Sequence, residues 1–466
     1  MSRSPLAAFA ILLCSGLTTV AGPARGAEAG RPNIEVLIAD DMGFSDVGFQ
    51  GGKDIPTPHL DALARGGVRC SNGYVSGPYC SPTRAGLLTG RYQQRFGHEF
   101  NPGGEAGTGL LGLPTSETTL IRRIKDAGYA TGLVGKWHLG AAPKFHPQKR
   151  GFDEFFGFLG GAHTYFAASA RNIYRGTEIV EEKAYLTDAF GREAVAFIDR
   201  HKGHPFFLEV AFNAVHTPMD ATKGRLDRFE SIQDETRRTY AAMLSAMDDA
   251  VGAVLSKLRD AGLEENTLIF FFSDNGGPTM LGTSRNGAIN APLRGSKRTT
   301  LEGGIHVPFV VSWKDKLPAG RVFDKPVIQL DILPSALAAA GVAIEPEWKL
   351  DGIDILPFLA DAGNEKTPHE ALFWRFGQQD AIRRGDWKLV RHDAAVDTGK
   401  RSRQGVEASV TPRRLYNLAE DVGETRDLSA EKPEKVKELL DAWRDWDRQL
   451  VPPLWGPDGT AAAASR

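Results

Sequence analysis

Through its first two-thirds the chain alternates short apolar runs with longer segments of helical periodicity, and no other feature restricts the fold as much. Apolar runs without polar alternation read as strands buried on both faces. The amphipathic stretches between them read as crossover helices, so the pattern predicts an α/β core with a mostly parallel sheet flanked by helices. Strands are expected at Ile34–Ala39, Tyr129–Val134, Phe206–Phe212, Leu268–Phe272 and Val307–Ser312. Helices are expected at Thr118–Ala127, closed by Gly128, at 188–200, at 236–260, stopped by Gly262, and at Asp331–Ala340. From about residue 365 the rhythm shortens. Leu372–Phe376, Asp380–Arg384, Trp387–Arg391 and Arg414–Asn417 read as an antiparallel sheet, followed by an amphipathic helix over Glu434–Leu450. This divides the chain into a catalytic region, 31–362, and a smaller C-terminal α+β region, 363–456. The polar stretch 393–412 is expected to be an exposed loop, and 457–466 a disordered tail.

The amino terminus carries Arg3, an apolar run from Leu6 to Val20, and small residues at Ala21, Gly22 and Ala27. That is the pattern of a secretory signal peptide over 1–27, so the mature protein is expected to be exported to the periplasm or beyond the cell. No later run reaches membrane-spanning length. With 56 Lys+Arg against 58 Asp+Glu there is no bulk field to attract nucleic acid or a membrane surface. Beyond the leader only Cys70 and Cys80 remain. Both are read as unpaired, Cys70 as a packed core thiol.

Two apolar strands end in oxygen-bearing side chains: Asp40-Asp41 after Ile34–Ala39, and Asp274-Asn275 after Leu268–Phe272. Ligands of open α/β sheets bind beyond the carboxyl ends of strands, where both pairs fall. Adjacent carboxylates repel unless a cation compensates, and an all-oxygen set suits Ca²⁺ or Mg²⁺ better than zinc. In Cys80-Ser81-Pro82-Thr83-Arg84, Ser81 can cap a helix that has Pro82 at its first position and Gly90 as its stop. Cys80 would then lie beside a helix N-terminus, an environment that favours anions. If the strand before Gly135 stays extended, Lys136 and His138 project to the same side as an anion clamp. His98, His146 and His163 stand outside any motif. Of these, His163, in Gly160-Gly161-Ala162-His163, is assigned to the substrate pocket.

The Cys80–Arg84 text with its Leu87-Leu88-Thr89-Gly90-Arg91 continuation resembles the signature of type I, formylglycine-dependent sulfatases. Gly135-Lys136-Trp137-His138 matches another motif of that family. The text around Tyr92–Phe100 and Lys149–Phe158 is similar to the arylsulfatase A and N-acetylgalactosamine-6-sulfatase branch. The resemblance runs from Pro32 to about Trp455 and implies an alkaline-phosphatase-like core. It implies that Cys80 is oxidised by a transiently bound maturation enzyme to formylglycine, whose hydrate attacks sulfur. It also implies Ca²⁺ held by Asp40, Asp41, Asp274, Asn275 and the residue at position 80. Arg84, Lys136 and Lys297 would surround the sulfuryl group, His138 would serve proton transfer, and His216 with Lys297 would hold the leaving oxygen. Thr83 and His306 depart from the usual Ser and Arg, and His306 is assigned only a supporting place. The substrate implied is a sulfated carbohydrate, with aryl sulfates as surrogates. A phosphonate or phosphodiester hydrolase with the same aldehyde, and a catalytically inactive glycan-binding protein, stand as alternatives.

Overall fold

The computed structural model describes residues 1, 30–103, 111–166, 172–364, 366–402 and 409–456. The expected leader over 1–27, Met1 apart, and the expected tail over 457–466 lie outside the described residues. The described residues from Arg31 on form one compact unit.

A ten-stranded sheet runs through it. Its middle is parallel: Thr267–Ser273, Asn33–Ala39, Phe206–Ala211, Ala130–Lys136 and Glu154–Phe158 lie side by side in that order. The first four are apolar runs read from the sequence, Glu154–Phe158 is a strand that reading did not include, and the first three are buried along their whole length. Leu37, Leu208 and Phe271 face one helical layer, which includes the long helix Glu235–Asp260. Val36, Phe207 and Phe270 face the other, with Cys80–Thr89 and Ile332–Ala339. At roughly 1.5–3 kcal/mol for each fully buried large apolar side chain, these two layers supply most of the driving force for folding. A four-stranded antiparallel sheet, Leu372–Phe376, Gln379–Arg384, Trp387–Arg391 and Arg414–Asn417, follows, with the helix Pro433–Asp447 after it. Its apolar face shares a core with Tyr74, Tyr92, Leu301 and Ile305.

Four local expectations need correction. The strand at Val307–Ser312 begins only at Phe309, because Pro308 cannot donate to a ladder, and it pairs antiparallel with Thr267–Ser273. The helix expected to be capped by Ser81 starts two residues earlier, at Cys80 rather than Pro82, with Tyr79 as its cap residue. Ser81 is committed elsewhere: its hydroxyl donates to the His138 carbonyl at 2.6 Å and meets His98 Nε2 at 2.7 Å. Gly90 does end this helix, at φ +64, where a side chain would be strained. The extended run expected to carry Lys136 and His138 together stops at Lys136, and His138 has φ +58. Finally, the stretch 393–412 is not a free loop in its described part. Ala395–Thr398 is helical, Asp393 bridges Val410, and Ser402 Oγ donates to Asp393 Oδ2 at 2.6 Å.

Two carboxyl groups interrupt the apolar sheet. Glu35 sits fully buried among the central strands, with no hydrogen-bond partner for either oxygen. Burial pushes its pKa up to about 8. Glu209, on the neighbouring strand, faces the opposite layer and is pushed to about 7 by burial, with Arg84 opposing. A carboxyl whose folded-state pKa exceeds its unfolded value stabilises the fold at low pH, and that stability is lost as pH rises. For Glu35 the loss runs from about pH 4.5 to about pH 8. By pH 7 it is on the order of 3 kcal/mol, at about 1.4 kcal/mol per pH unit. Glu35→Gln should therefore show a smaller fall in unfolding free energy than wild type between pH 5 and 8 in denaturant titrations. Parallel curves for the two proteins would rule this out.

Candidate active site

Parallel register sets the site. Ala39 lies level with Ser273, so Asp40-Asp41 and Asp274-Asn275 leave neighbouring strands at the same edge of the sheet. The Asp40 N–H donates to Ala214 O (2.9 Å) and the Asp274 N–H to Ala39 O (3.0 Å). Asp41 turns back at φ +62, which brings its N–H to 3.4 Å from Asp274 Oδ1. Asn286 Nδ2 ties the Asp41 and Val215 carbonyls together at 3.1 and 2.9 Å. All four strand-end residues are inaccessible to solvent.

Three cations from three other segments meet these carboxylates. Arg84, on the Cys80–Thr89 helix, holds Asp274 Oδ2 through Nε and Nη2 at 3.0 and 2.8 Å, and its Nη1 donates to Lys136 O. Lys136 Nζ lies 2.5 Å from Asp40 Oδ2. Lys297 Nζ reaches both oxygens of Asp41 at 2.7 and 2.8 Å. Cys80 Sγ is 3.7 Å from Asp40 Oδ1, and His216 Nε2 is 3.5 Å from Asp41 Oδ2. Asp40, Asp41, Cys80 and His216 each offer a ligand atom within 4.8 Å of the others.

The electrostatics follow from burial and this pairing. Burial alone would raise the Asp41 carboxyl, but Lys297 and His216 pull it below its ordinary value. Burial opposes charge on Lys297 and Arg84 as well, yet the carboxylates hold both above their usual values. Burial, then the nearby Lys136, Arg84 and Lys297, drives His138 well below the ordinary imidazole range. His216 is lowered by burial, with Asp40 and Asp41 partly offsetting it. Burial pushes the Cys80 thiol up to about 12, against Lys136 and Lys297.

Thus Cys80, Arg84, Lys136, His138, His216, Lys297, Asp40, Asp41, Asp274 and Asn275 converge. His138 arrives by a left-handed turn rather than an extended strand, its N–H donating to Leu159 O and its Nδ1 buried without a partner. His163 stands to one side. Its Nδ1 meets Thr164 O at 2.7 Å, its Nε2 has no partner, and it lines a cavity with Tyr165, Ile179 and Glu182. Sequence reasoning missed Asn286 and Arg298. Asn286 carries no motif, whereas the position of Arg298, directly after Lys297, was a usable signal.

The residues fit a hard divalent cation. Asn275 Nδ2 donates to Asp41 Oδ1 at 2.7 Å, which leaves Asn275 Oδ1 buried, bare and without a partner. An orphaned buried acceptor beside three buried carboxylates is a ligand set awaiting a cation. The three carboxylates and three cations cancel, so a bound divalent ion would leave the pocket with two positive charges to receive an oxyanion.

A family model described as "Sulfatase" matches residues 32–342. The chain is 36% identical over 383 residues to N-acetylgalactosamine-6-sulfatase of Canis lupus familiaris, covering 77% of this chain and 71% of that protein. It is 32% identical over 467 residues to the Homo sapiens protein of the same name, covering 90% and 86%. Among solved structures, Ps i-CgsB in complex with k-i-k-neocarrahexaose superposes with a TM-score of 0.83 at 35% identity, covering 91% of this chain and 94% of that one.

Calcium added to the purified Cys80→Ala protein should raise its melting temperature by roughly 2–5 °C at saturating concentration. Asp41→Ala or Asn275→Ala in the same background should remove most of that shift. Equal shifts in all three proteins would mean that calcium acts elsewhere.

Proposed function

The chain belongs to the sulfatase family and is a sulfuric ester hydrolase, and we propose that it removes sulfate from a sulfated carbohydrate using Cys80 converted to formylglycine. In this reading Asp40, Asp41, Asp274 and Asn275, with the residue at position 80, hold Ca²⁺. One observation carries the proposal: Cys80 Sγ lies 3.7 Å from Asp40 within a buried set of carboxylates and cations. That set sits in a chain whose sulfatase match spans 32–342. The names of the similar proteins, N-acetylgalactosamine-6-sulfatase and Ps i-CgsB in complex with k-i-k-neocarrahexaose, support a carbohydrate as the carrier of the ester. The apolar segment from Leu6 to Val20 supports export to the periplasm or beyond, and maturation would need a transient partner that oxidises Cys80.

The thiol itself is a poor candidate nucleophile. With its pKa near 12, only roughly one part in 100,000 is thiolate at neutral pH. Converted, position 80 would supply an aldehyde hydrate, an oxygen nucleophile that needs no thiolate. Bound Ca²⁺ would supply Lewis-acid stabilisation of sulfuryl oxygens and a template for the attack.

The chain's own residues do the rest. Arg84, Lys136 and Lys297 are preorganised cations that take up charge developing on the sulfuryl oxygens and need no reorientation at the moment of reaction. Each is already held by a carboxylate, so the orientation is fixed before substrate arrives. His216 Nδ1 lies 2.5 Å from Thr217 O, an acceptor, so Nδ1 carries a proton. Its Nε2, bare in that tautomer, points toward Asp41 and would have to take up a proton before passing one to the departing alcohol, with the Lys297 ammonium beside it already charged. His138 is held neutral by burial and by its cationic neighbours, and its unpartnered Nδ1 is the atom free to accept a proton during sulfate release. His163 is assigned to the sugar side of the pocket, where its unpartnered Nε2 can donate to or accept from a hydroxyl.

Mass spectrometry of active protein should find the Cys80 peptide converted to the aldehyde, in a fraction that tracks specific activity on 4-nitrophenyl sulfate. Cys80→Ala should fold and bind calcium yet lose turnover by several orders of magnitude. Cys70→Ala, a packing change in the core, should cost stability only. Full activity from protein with Cys80 wholly present as thiol would falsify the mechanism. Far better turnover of phosphonate or phosphodiester substrates than of any sulfate ester would move the function to that class.

A further inference from the structure

Five arginines are more than nine-tenths buried among the described residues: Arg84, Arg150, Arg237, Arg298 and Arg383. Four of them make three or more hydrogen bonds each. Arg84 grips Asp274, and Arg237 grips Asp46 and Asp54. Arg150 donates to three carbonyls, and Arg383 donates to Asn72 Oδ1, the Tyr74 hydroxyl and the Gly385 carbonyl. Arg298 is different. Its guanidinium makes one hydrogen bond, from Nη1 to Gly282 O at 3.0 Å, and no carboxylate lies within ion-pair distance. A guanidinium has five donors, and the Arg298 nitrogens without a protein partner are not among the buried unpartnered atoms, so they open onto accessible space. Burial still lowers its pKa, with Tyr79 and Asp393 only partly compensating. Asp393 is spoken for by Ser402 and by the Ala395 N–H.

The placement of this cation is also unusual. Arg298 follows Lys297 directly, and its backbone is held at φ +72, a conformation that disfavours any residue but glycine. Its N–H donates to Pro78 O at 2.7 Å, two residues before Cys80. Tyr79 lies between, with Lys297 Nζ 5.4 Å from its ring centre. On the far side, Gly282 packs against the backbone of Ser402 and the stem of Arg401. Exposed Lys400 and Arg401 lie on the segment that meets Gly282, exposed Arg285 lies three residues beyond Gly282, and none of the three makes an ion pair among the described residues. Backbone strain and a guanidinium with spare donors coincide here beside the sulfuryl pocket.

We propose that Arg298, with Arg285, Lys400 and Arg401 at its rim, forms a second oxyanion subsite adjoining the Cys80 pocket. The substrate would then be a carbohydrate with at least two anionic groups, one at Cys80 and one on the same or the neighbouring sugar at Arg298. This rests on the sulfatase reading above for the identity of the first pocket. Arg298 supplies a planar fork that fits a sulfate ester or a carboxylate equally well, whereas Lys297 serves the scissile group through Asp41. The subsite selects among sulfated sugars by the second charge, and a singly sulfated sugar forgoes that contact.

Binding to calcium-loaded Cys80→Ala protein tests this without turnover, so failure of the catalytic reading and failure of the subsite remain distinguishable. The probes are sucrose octasulfate as a multiply charged sugar, inorganic sulfate as a single anion, and trigalacturonate as a carboxylate counterpart. Adding Arg298→Gly, which suits φ +72, should weaken sucrose octasulfate at least tenfold and inorganic sulfate less than threefold. Adding Arg285→Ser and Arg401→Ser, both on the surface, should weaken sucrose octasulfate by a smaller, salt-dependent factor. It should leave inorganic sulfate unchanged, and it serves as the test if the Arg298→Gly protein does not fold. Weakening of trigalacturonate as well would mark a general oxyanion site, and its absence a site for sulfate esters. Either result supports the proposal. An equal loss for sucrose octasulfate and inorganic sulfate, or no loss with either set of variants, would overturn it.

Discussion

Everything at the carboxyl edge of the large sheet depends on three buried carboxylates being neutralised together. Asp40, Asp41 and Asp274 are carried there by two adjacent parallel strands, and none has access to water. Uncompensated, they would repel one another and resist burial strongly. The chain answers with Arg84, Lys136 and Lys297, drawn from a helix, a strand end and a loop far apart in sequence. Each ion pair therefore joins a different segment to the same strand ends, so charge neutralisation and assembly of the site are one event. The balance is also what makes the pocket receptive. A divalent ion at the bare Asn275 oxygen would add two positive charges to a neutral cluster, and a sulfate monoester would offset one of them.

The two cysteines show how environment rather than residue type decides chemistry. Both are buried and unpaired, and burial raises both thiols. Cys70 lies in a strand against the apolar core, with Asp331 adding to the rise and Arg321 opposing it. Cys80 opens a helix and faces Lys136, Lys297 and Asp40. Even those two ammonium groups do not make its thiolate accessible at neutral pH. The proposed conversion of Cys80 would replace that thiol with an oxygen nucleophile.

Strand identity was legible because buried parallel strands write themselves as unbroken apolar runs; Leu268–Phe272 was recovered within one residue at each end. The antiparallel sheet was equally clear from its short strands and turns. Apart from the strand shortened by Pro308, a local cause, the misreadings come from partners distant in sequence. Ser81 has the composition of a cap, but His98 and the His138 carbonyl claim its hydroxyl. No local pattern announces that His138 turns at φ +58 or that Asp393 will be bridged to Val410. The site's motif residues were legible one by one, yet their pairings were not. Nothing in the sequence assigns Lys136 to Asp40 and Lys297 to Asp41. Glu35 is the opposite case, a residue that the apolar pattern absorbed without comment and that the structure leaves with no partner.

The antiparallel sheet is part of the site's support, and His306 shows how. The ring bonds Glu302 through Nδ1 at 2.9 Å and Ser71 O through Nε2 at 2.8 Å, between the rings of Phe44 and Tyr74. Glu302 is also held by Tyr74 and by Lys388, a wholly buried ammonium on the small sheet that reaches Glu424 as well. Burial would raise the Glu302 carboxyl, but Lys388, His306 and Arg383 hold it below its ordinary value. The same sheet grips the turn that carries Lys297 and Arg298: Gln379 Nε2 donates to Arg298 O, and Thr300 Oγ donates to Arg391 O. The turn is thus pinned at both ends by strands of the C-terminal sheet. Its left-handed residue and its under-partnered guanidinium persist because these bonds leave the backbone no alternative. A buried ion-pair network of this kind adds little net stability, since desolvation offsets most of the attraction. What it adds is position. Lys297 stays aimed at Asp41 because Lys388, nearly a hundred residues on, fixes the helix that follows it.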